Sequence, residues 1–303
     1  MTYAELRAAL RGEHLPLAYC DLDLLAANAR NLLERAGGLP IRLASKSIRC
    51  REILRRVQAI SPEFQGVLCY SAGEAAFLAA DGFTDLVVAY PTVDRADLDL
   101  ACAVIARGSQ VCLMVDDAEQ LSPLSAAAGR AGVTLPVAID LDMSSSFPGL
   151  HFGVRRSPIH DEAAALALAD RIAGTPHLEL DGLMGYEAQI AGLQDLLPGQ
   201  RLKSAAVRAL KKRSIPEICA RRAAVVAALR ARGHDLRFVN GGGTGSLEAT
   251  RGDRSVTELA AGPAWRDRRA RRGLARCSAS RRRRATGAPC RRRSRPRQRP
   301  CRP

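Results

Sequence analysis

A lysine ends a short apolar stretch near the start of the chain, Ile41-Arg-Leu-Ala-Ser-Lys46. Only four of the 46 basic residues are lysines, so a lysine at this place suggests a chemical requirement. An amine can form a Schiff base with an aldehyde, which a guanidinium cannot do at neutral pH. The alternative is a plain strand-end lysine that extends its amine into solvent. This stretch alone leaves both interpretations open.

A glycine-rich stretch, Asn240-Gly-Gly-Gly-Thr-Gly-Ser246, follows another apolar run. Its glycines allow tight turns and close backbone approach, and its hydroxyls and backbone amides can bind an anion. It is neither a Walker loop nor a dinucleotide-binding G-x-G-x-x-G unit, and a flexible loop is the alternative. An amine together with a phosphate site matches one small cofactor, pyridoxal 5′-phosphate (PLP), which carries both an aldehyde and a phosphate.

Three more residues are candidates for this site. Tyr186 follows Gly185 at the end of an apolar run, where its ring can stack on a pyridine or its hydroxyl can donate a proton. A core tyrosine is the alternative. His151 and Arg155 lie in the segment 150–156, and an arginine there can hold a substrate carboxylate through two hydrogen bonds. A solvated loop arginine is an equally good interpretation.

Two pairs of aspartates, Asp21 with Asp23 and Asp140 with Asp142, have the spacing that places both side chains on one face of a strand. Paired carboxylates can serve acid–base catalysis. The simpler interpretation, which we favour, is that they cap strand ends.

The elements that position these residues follow a regular alternation. A short helix is predicted at 3–11, a strand at Leu15–Asp23 and a helix at 24–35. Eight further apolar strands are then predicted at 41–45, 67–70, 86–90, 111–115, 136–142, 179–186, 236–240 and 256–261. Helical segments separate most of them, at 50–60, 73–81, 94–107, 117–131, 161–173 and 215–232.

This alternation predicts parallel strands joined by crossover helices. Eight units fit a (β/α)8 barrel, and an open doubly wound sheet is the second choice. In a barrel, the functional residues collect at the carboxyl ends of the strands. Lys46, Asp140, Tyr186 and Asn240 all fall at predicted strand ends.

Composition narrows the class of protein. The chain has 303 residues, of which 47% are hydrophobic, and no apolar run long enough to cross a membrane, so a cytoplasmic enzyme is expected. Its nine cysteines form no C-x-x-C pair, so neither a zinc site nor a redox motif is predicted. The net charge of +15 comes from residues 263–303, which contain 17 arginines and one acidic residue.

Three segments resemble one known family. Residues 71–91, Leu183-Met-Gly-Tyr-Glu-Ala-Gln189 and the glycine stretch are similar to the D-threonine aldolase and D-serine dehydratase branch of the alanine racemase-like enzymes, often described as amino acid deaminase/aldolase. The resemblance runs from about residue 3 to residue 262. It implies a fold-type III barrel with PLP bound as an imine to Lys46, and with Tyr186 beside the cofactor.

The resemblance also implies the remaining contacts and the activity. The phosphate is expected at the stretch from Gly241, with Asn240, Gly242, Gly243, Thr244 and Gly245 as candidate contacts. The implied substrate is a D-amino or hydroxy-amino acid, and the implied reaction is deamination or dehydration, aldol cleavage or racemisation. A homodimer is possible in an intact relative. The alternative function is a non-catalytic, single-domain PLP-binding protein of cofactor homeostasis.

Two departures from the family pattern are evident. The chain has His151-Phe152-Gly153 where the family often has an arginine before the apolar residue and glycine, and Arg155 is a possible substitute. The family also continues into a C-terminal β-domain that supplies active-site groups and, in this branch, metal ligands. Here Glu258–Gly262 is followed by the arginine-rich segment. We therefore expect no metal site in this chain and a divalent metal only in a full-length relative.

The expected organisation is a PLP-binding barrel over residues 1–262 and a disordered tail over 263–303. The tail is rich in Arg, Pro, Ser and Cys, which wrong reading frames of a GC-rich gene tend to encode. We therefore expect a frameshift near codon 262 and a truncated barrel that can be inactive, and resequencing of the locus would test the frameshift. A tail that binds nucleic acid is the less favoured alternative.

Overall fold

The computed structural model describes residues 2–14, 16–195 and 198–262. Two helices come first, α1 (Tyr3–Ala9) and α2 (Leu22–Ala36). The eight barrel strands are β1 (Ile41–Ala44), β2 (Phe64–Cys69), β3 (Asp85–Val88), β4 (Gln110–Val115), β5 (Leu135–Asp140), β8 (Leu178–Gly185), β9 (Phe238–Gly241) and β10 (Glu258–Ala261). A hairpin outside the barrel is formed by β6 (Ser145–Phe147) and β7 (Leu150–Phe152).

The helices between the strands are α3 (Arg51–Gln58), α4 (Ala72–Ala80), α5 (Arg95–Ala106), α6 (Leu121–Ala131), α7 (Glu162–Ala173), α8 (Ala188–Ala191), α9 (Arg201–Ala231) and α10 (Leu247–Thr250). Short 3₁₀ turns occupy Ser45–Ser47 and Ala118–Gln120. No helix within the described ranges is long and apolar enough to cross a membrane.

The barrel is closed and its strands are parallel. Their order around the barrel is β1-β10-β9-β8-β5-β4-β3-β2, and β1 meets β10 with Ile41 opposite Leu259. The predicted (β/α)8 barrel is therefore confirmed, and each of the eight strands lies within three residues of its predicted bounds. The domain division stays a prediction, because residues 263–303 lie outside the described residues.

Two sequence-based predictions of local structure were wrong. The strand predicted at Leu15–Asp23 is absent from its described residues, 16–23. The Asp21 side chain instead caps α2 by accepting the backbone N–H groups of Asp23 and Leu24, both at 3.1 Å. The helix predicted at 215–232 begins 14 residues earlier, at Arg201. Pro216 lies inside it, although proline is typical of the first turn of a helix.

The barrel has an apolar outer layer and a mixed interior. Strand residues such as Ile41, Leu43 and Leu259 face the helices in the main core. A second apolar cluster fills the inside of the barrel: Val87, Cys112, Met114, Ala138, Met184 and Phe238. Gly182 gives Phe238 its space, because a β-carbon on Gly182 would lie 2.6 Å from the Phe238 ring.

A charged pair accompanies these apolar side chains at the point where the barrel closes. Arg42 of β1 is 1% exposed, and its Nε and Nη2 donate to the two carboxylate oxygens of Glu258 on β10 at 2.7 and 2.8 Å. Asp85 lies 2.9 Å from the same guanidinium. A bidentate pair across β1 and β10 fixes the register of the first and last strands.

Removing one member of this pair should destabilise the fold strongly. We expect Arg42→Met to lower the free energy of unfolding by about 3–5 kcal/mol, because Glu258 is left buried without its cation. Arg232→Met is the matched control: it breaks an exposed pair with Asp170, which is worth about 1 kcal/mol or less. Urea unfolding measures both, and similar small losses in the two variants would contradict the role given to Arg42.

Candidate active site

A cavity of about 300 Å³ opens at the carboxyl ends of the strands. Its wall combines the ends of β1, β8, β9 and β10 with the segments after β3 and β7. Among its lining residues are Lys46, Tyr90, Arg156, Tyr186, Asn240 and residues 242–245. The structure thus gathers most of the residues that the sequence singled out into one place.

His151 and Arg155 are the exceptions. Both line a separate cavity of about 490 Å³, between the β6–β7 hairpin and α9. Arg156, the next residue, reaches the Lys46 cavity instead. The sequence could not choose between adjacent arginines, because an irregular loop has no periodicity that tells which side chain points inward.

Lys46 lies on the 3₁₀ turn directly after β1 and is exposed to the cavity. Its Nζ lies 3.1 Å from the Tyr90 hydroxyl oxygen and 5.4 Å from the centre of the Tyr90 ring. Tyr90 follows β3, and its ring meets Tyr70 edge-on with centroids 5.3 Å apart. Tyr90 is therefore the first partner of the candidate reactive amine, although its sequence signal was only its place at a strand end.

Tyr90 has an unusual electrostatic setting. Partial burial alone would raise the pKa of its phenol, but the nearby cations Lys46 and Arg156 outweigh burial and lower that pKa below its usual value. The Arg156 guanidinium carbon lies 4.8 Å from the Tyr90 ring centre and 6.0 Å from that of Tyr186. The two cations thus favour the ionised form of the Tyr90 hydroxyl.

Two aspartates hold Arg156 in this position. Asp140, at the end of β5, accepts from Arg156 Nε at 2.7 Å, and the Ala89 carbonyl accepts from its Nη2. Asp142 accepts the Arg156 backbone N–H at 2.7 Å and that of Ser144 at 2.8 Å. Asp142 therefore caps the backbone after β5, as the sequence indicated, whereas Asp140 orients a cation beside the cavity.

Asp140 is 1% exposed, and burial raises the pKa of its carboxyl to about 7, despite the opposing effect of Arg156. Asp116 and Asp142 add to the rise, because each contributes a nearby negative charge. The ion pair between Asp140 and Arg156 is therefore strongest above about pH 7, where the carboxyl group is ionised.

Tyr186 lines the same cavity and lies directly after β8. Burial, and then the charge of Glu187, raise the pKa of its phenol, so its hydroxyl stays protonated. A β-carbon added to Gly243 would lie 3.2 Å from the Tyr186 ring. The ring and the glycine stretch are therefore in close contact.

The glycine stretch has the shape of an anion cradle. Gly242 has φ of +81°, a conformation that favours glycine, and a β-carbon on Gly245 would collide with the carbonyl oxygen of Ala191. Within the described residues, the backbone N–H groups of Thr244 and Gly245 donate to no protein group. The Thr244 hydroxyl accepts the Gly262 N–H at 2.9 Å, which leaves its own proton to donate. Free amides and a hydroxyl suit a phosphate.

Comparison with known proteins identifies the family. The family described as alanine racemase, N-terminal domain, matches residues 20–259. This chain belongs to that family. The prediction of the family and of its D-threonine aldolase branch is confirmed. The amine and the free amides at one cavity also fit the aldehyde and the phosphate of PLP.

Two curated relatives are aldolases. The D-threonine aldolase of Arthrobacter sp is 28% identical over 253 residues, which are 82% of this chain and 59% of the relative. The 3-hydroxy-D-aspartate aldolase of Paracoccus denitrificans is 26% identical over 233 residues, which are 76% of this chain and 54% of the relative. The chain therefore spans between half and three fifths of the length of these relatives.

Solved structures agree with this placement. The D-threonine aldolase from Filomicrobium marinum matches with a TM-score of 0.67 and 25% identity, over 83% of this chain and 62% of that one. The D-threo-3-hydroxyaspartate dehydratase from Delftia sp. HT23 matches with a TM-score of 0.64 over 88% of this chain and 65% of that one; at 20% identity it supports the fold alone. Within the described ranges, no group of three or more His, Cys, Asp or Glu side chains is arranged to hold a metal ion.

The raised pKa of Asp140 predicts a specific pH dependence of stability. The folded carboxyl keeps its proton to about pH 7, whereas the ordinary value is 3.8, so the folded state binds more protons between these two values. Wild-type stability should therefore lose this contribution as the pH rises from about 4 to about 7. Asp140→Asn has no proton to release and should remove this part of the slope.

Urea unfolding at a series of pH values measures the difference between wild type and variant. Asp170→Asn is the control, because Asp170 is half exposed in its pair with Arg232, and it should keep the wild-type slope. An unchanged slope in Asp140→Asn would show that the Asp140 carboxyl does not titrate in this range.

Proposed function

We propose that this chain is the cofactor-binding barrel of a PLP-dependent lyase that acts on D-hydroxy amino acids. The observation that carries the proposal is the cavity itself, because Lys46 and the free amides of the glycine stretch line the same 300 Å³ space. An amine for the aldehyde and amides for the phosphate are what PLP requires. Membership of the alanine racemase N-terminal domain family and the two aldolases among the relatives support this choice.

When bound, PLP supplies an electron-poor ring that stabilises negative charge on the carbon beside the substrate amine. The residues of this chain then have separate tasks. Lys46 would hold the aldehyde end of the cofactor through its Nζ, and the same nitrogen would serve as the proton acceptor when a substrate is bound. Tyr90, 3.1 Å away, exchanges a proton with that nitrogen. Tyr186 packs its ring against one face of the cavity.

Arg156 provides a fixed positive charge in the same cavity. Its Nε and Nη2 are committed to Asp140 and Ala89, and its side chain is 17% exposed. The guanidinium also lies beside Tyr90 and lowers the pKa of that phenol, so its positive charge is felt inside the cavity. We therefore assign to Arg156 the binding of an anionic oxygen of the cofactor or the substrate, the task that the sequence suggested for Arg155.

The test of the function is a covalent adduct at one lysine. Purified protein mixed with PLP and reduced with borohydride should carry one pyridoxyl phosphate group on the peptide that contains Lys46. Lys46→Ala should carry none, whereas Lys203→Ala, which removes an exposed lysine of α9, should behave as wild type. An adduct that persists in Lys46→Ala would overturn the proposal.

Turnover of D-threonine and D-serine then separates an enzyme from a binding protein. Cleavage of D-threonine gives an aldehyde and glycine, and dehydration of D-serine gives pyruvate and ammonia. An adduct at Lys46 without turnover of either substrate, or of D-3-hydroxyaspartate, would favour the non-catalytic alternative.

The two adjacent arginines provide a second prediction. We expect Arg156→Lys to weaken PLP binding by about tenfold, because a lysine cannot donate to Asp140, Ala89 and an anion in the same planar arrangement. Arg155→Lys is the matched control and should stay within about twofold of wild type, because Arg155 lines the other cavity. Equal losses in the two variants, measured by absorbance titration, would contradict the assignment.

A further inference from the structure

A buried pair of opposite charges lies beneath the glycine stretch, and neither of its residues lines the cavity. Glu187 follows Tyr186 at the end of β8, and Arg222 comes from the middle of α9. Their side chains are 3% and 0% exposed, and Arg222 Nη2 donates to Glu187 Oε1. Asp253 lies 3.4 Å from Arg222 Nη1 on the other side. Burying these charges costs desolvation free energy, which their mutual attraction offsets only when the pairing geometry is good.

The Glu187–Arg222 pair makes direct contact with the start of the glycine stretch. Glu187 Oε2 accepts the backbone N–H of Gly242 at 2.7 Å, at the residue where the chain leaves β9 with positive φ. Arg222 lies under the preceding residue, since a β-carbon on Gly241 would be 2.7 Å from its Nη1. The carboxylate therefore fixes the turn from which Thr244 and Gly245 project.

The chemistry of a carboxylate suits this place. One oxygen accepts from Arg222 and, at 3.4 Å, from the Thr250 hydroxyl, while the other accepts from Gly242. Glutamine replaces one of these two oxygens by an NH₂ group, which is a donor and cannot accept from Arg222 or Gly242 at that place. Because the Gly242 amide is occupied, an anion must bind further along, at the free amides of Thr244 and Gly245.

We propose that Glu187, held by Arg222, is a positioning residue that sets the phosphate-binding geometry of the glycine stretch. The inference rests on the proposed function, because it assumes that the phosphate of PLP is the anion. Glu187 touches neither the reacting atoms nor the aldehyde end of the cavity. Removal of the Glu187 carboxylate should therefore weaken the binding of the phosphate and leave the reaction of Lys46 with an aldehyde unchanged.

Pyridoxal, which has the aldehyde but no phosphate, makes this difference measurable. Dissociation constants for PLP and for pyridoxal are obtained by absorbance titration, and their ratio reports the contribution of the phosphate. We expect Glu187→Gln to reduce that ratio about tenfold, the effect of one lost buried hydrogen bond, with the pyridoxal affinity unchanged within about twofold. Glu217→Gln, which alters a half-exposed pair with Arg221 away from the stretch, should keep the wild-type ratio.

A second variant guards against misfolding. Glu187→Gln combined with Arg222→Met and Asp253→Asn removes all three charges, so neither an unpaired guanidinium nor an unpaired carboxylate remains in the core. It should show the same reduced ratio.

A wild-type ratio in either variant would overturn the proposal, and so would equal losses of PLP and pyridoxal binding, which indicate a general structural role. If wild-type protein forms an adduct with neither compound, the proposed function itself fails. If it binds both and the variants keep the ratio, only the role of Glu187 fails.

Discussion

The closing of the barrel between β1 and β10 is the constraint on which the site depends. Lys46 lies two residues beyond β1. Gly262 follows β10 directly and donates its N–H to Thr244 of the glycine stretch. The amine and this stretch therefore meet only if β1 and β10 pair in the observed register. The Arg42–Glu258 pair lies across that junction. Glu258 also accepts the side-chain amide of Asn240 at 2.8 Å, which orients a residue of the cavity wall. One buried ionic pair therefore joins barrel closure to the floor of the site.

Buried carboxylate–guanidinium pairs of the same kind also lie near the cavity. Three pairs each join a buried carboxylate to a guanidinium from elsewhere in the chain. Glu258, the partner of Arg42, begins β10, whereas Asp140 and Glu187, the partners of Arg156 and Arg222, lie at or just beyond the carboxyl ends of β5 and β8. An apolar contact of equal volume would be at least as stable but would not specify direction. A carboxylate paired with a planar guanidinium fixes both distance and orientation. The site is thus held by directional contacts anchored in the strands, which limits the freedom of the loops that carry its side chains.

The sequence predicted the parts of this arrangement that periodicity records. Eight apolar runs separated by helical segments predicted the barrel, and position at strand ends predicted that Lys46, Tyr186 and Asn240 share a site. Periodicity carries no information about irregular loops, which is why Arg155 was preferred to Arg156. It also cannot show which charges pair across the barrel, since Arg42 and Glu258 are 216 residues apart. The capping role of Asp21 was missed because an aspartate before an apolar run is compatible with a strand end and with a helix start.

Tyr90 shows how the paired charges act on the centre of the site. Its ring lies between two cations, Lys46 at its hydroxyl and Arg156 over its face, and these cations lower the pKa of the phenol. Arg156 occupies this place only because Asp140 and Ala89 hold it there. The ionisation of Asp140 therefore governs how firmly Arg156 is held beside the Tyr90 ring. The charge around the Tyr90 hydroxyl thus depends on a carboxyl group that is itself buried beneath the cavity wall.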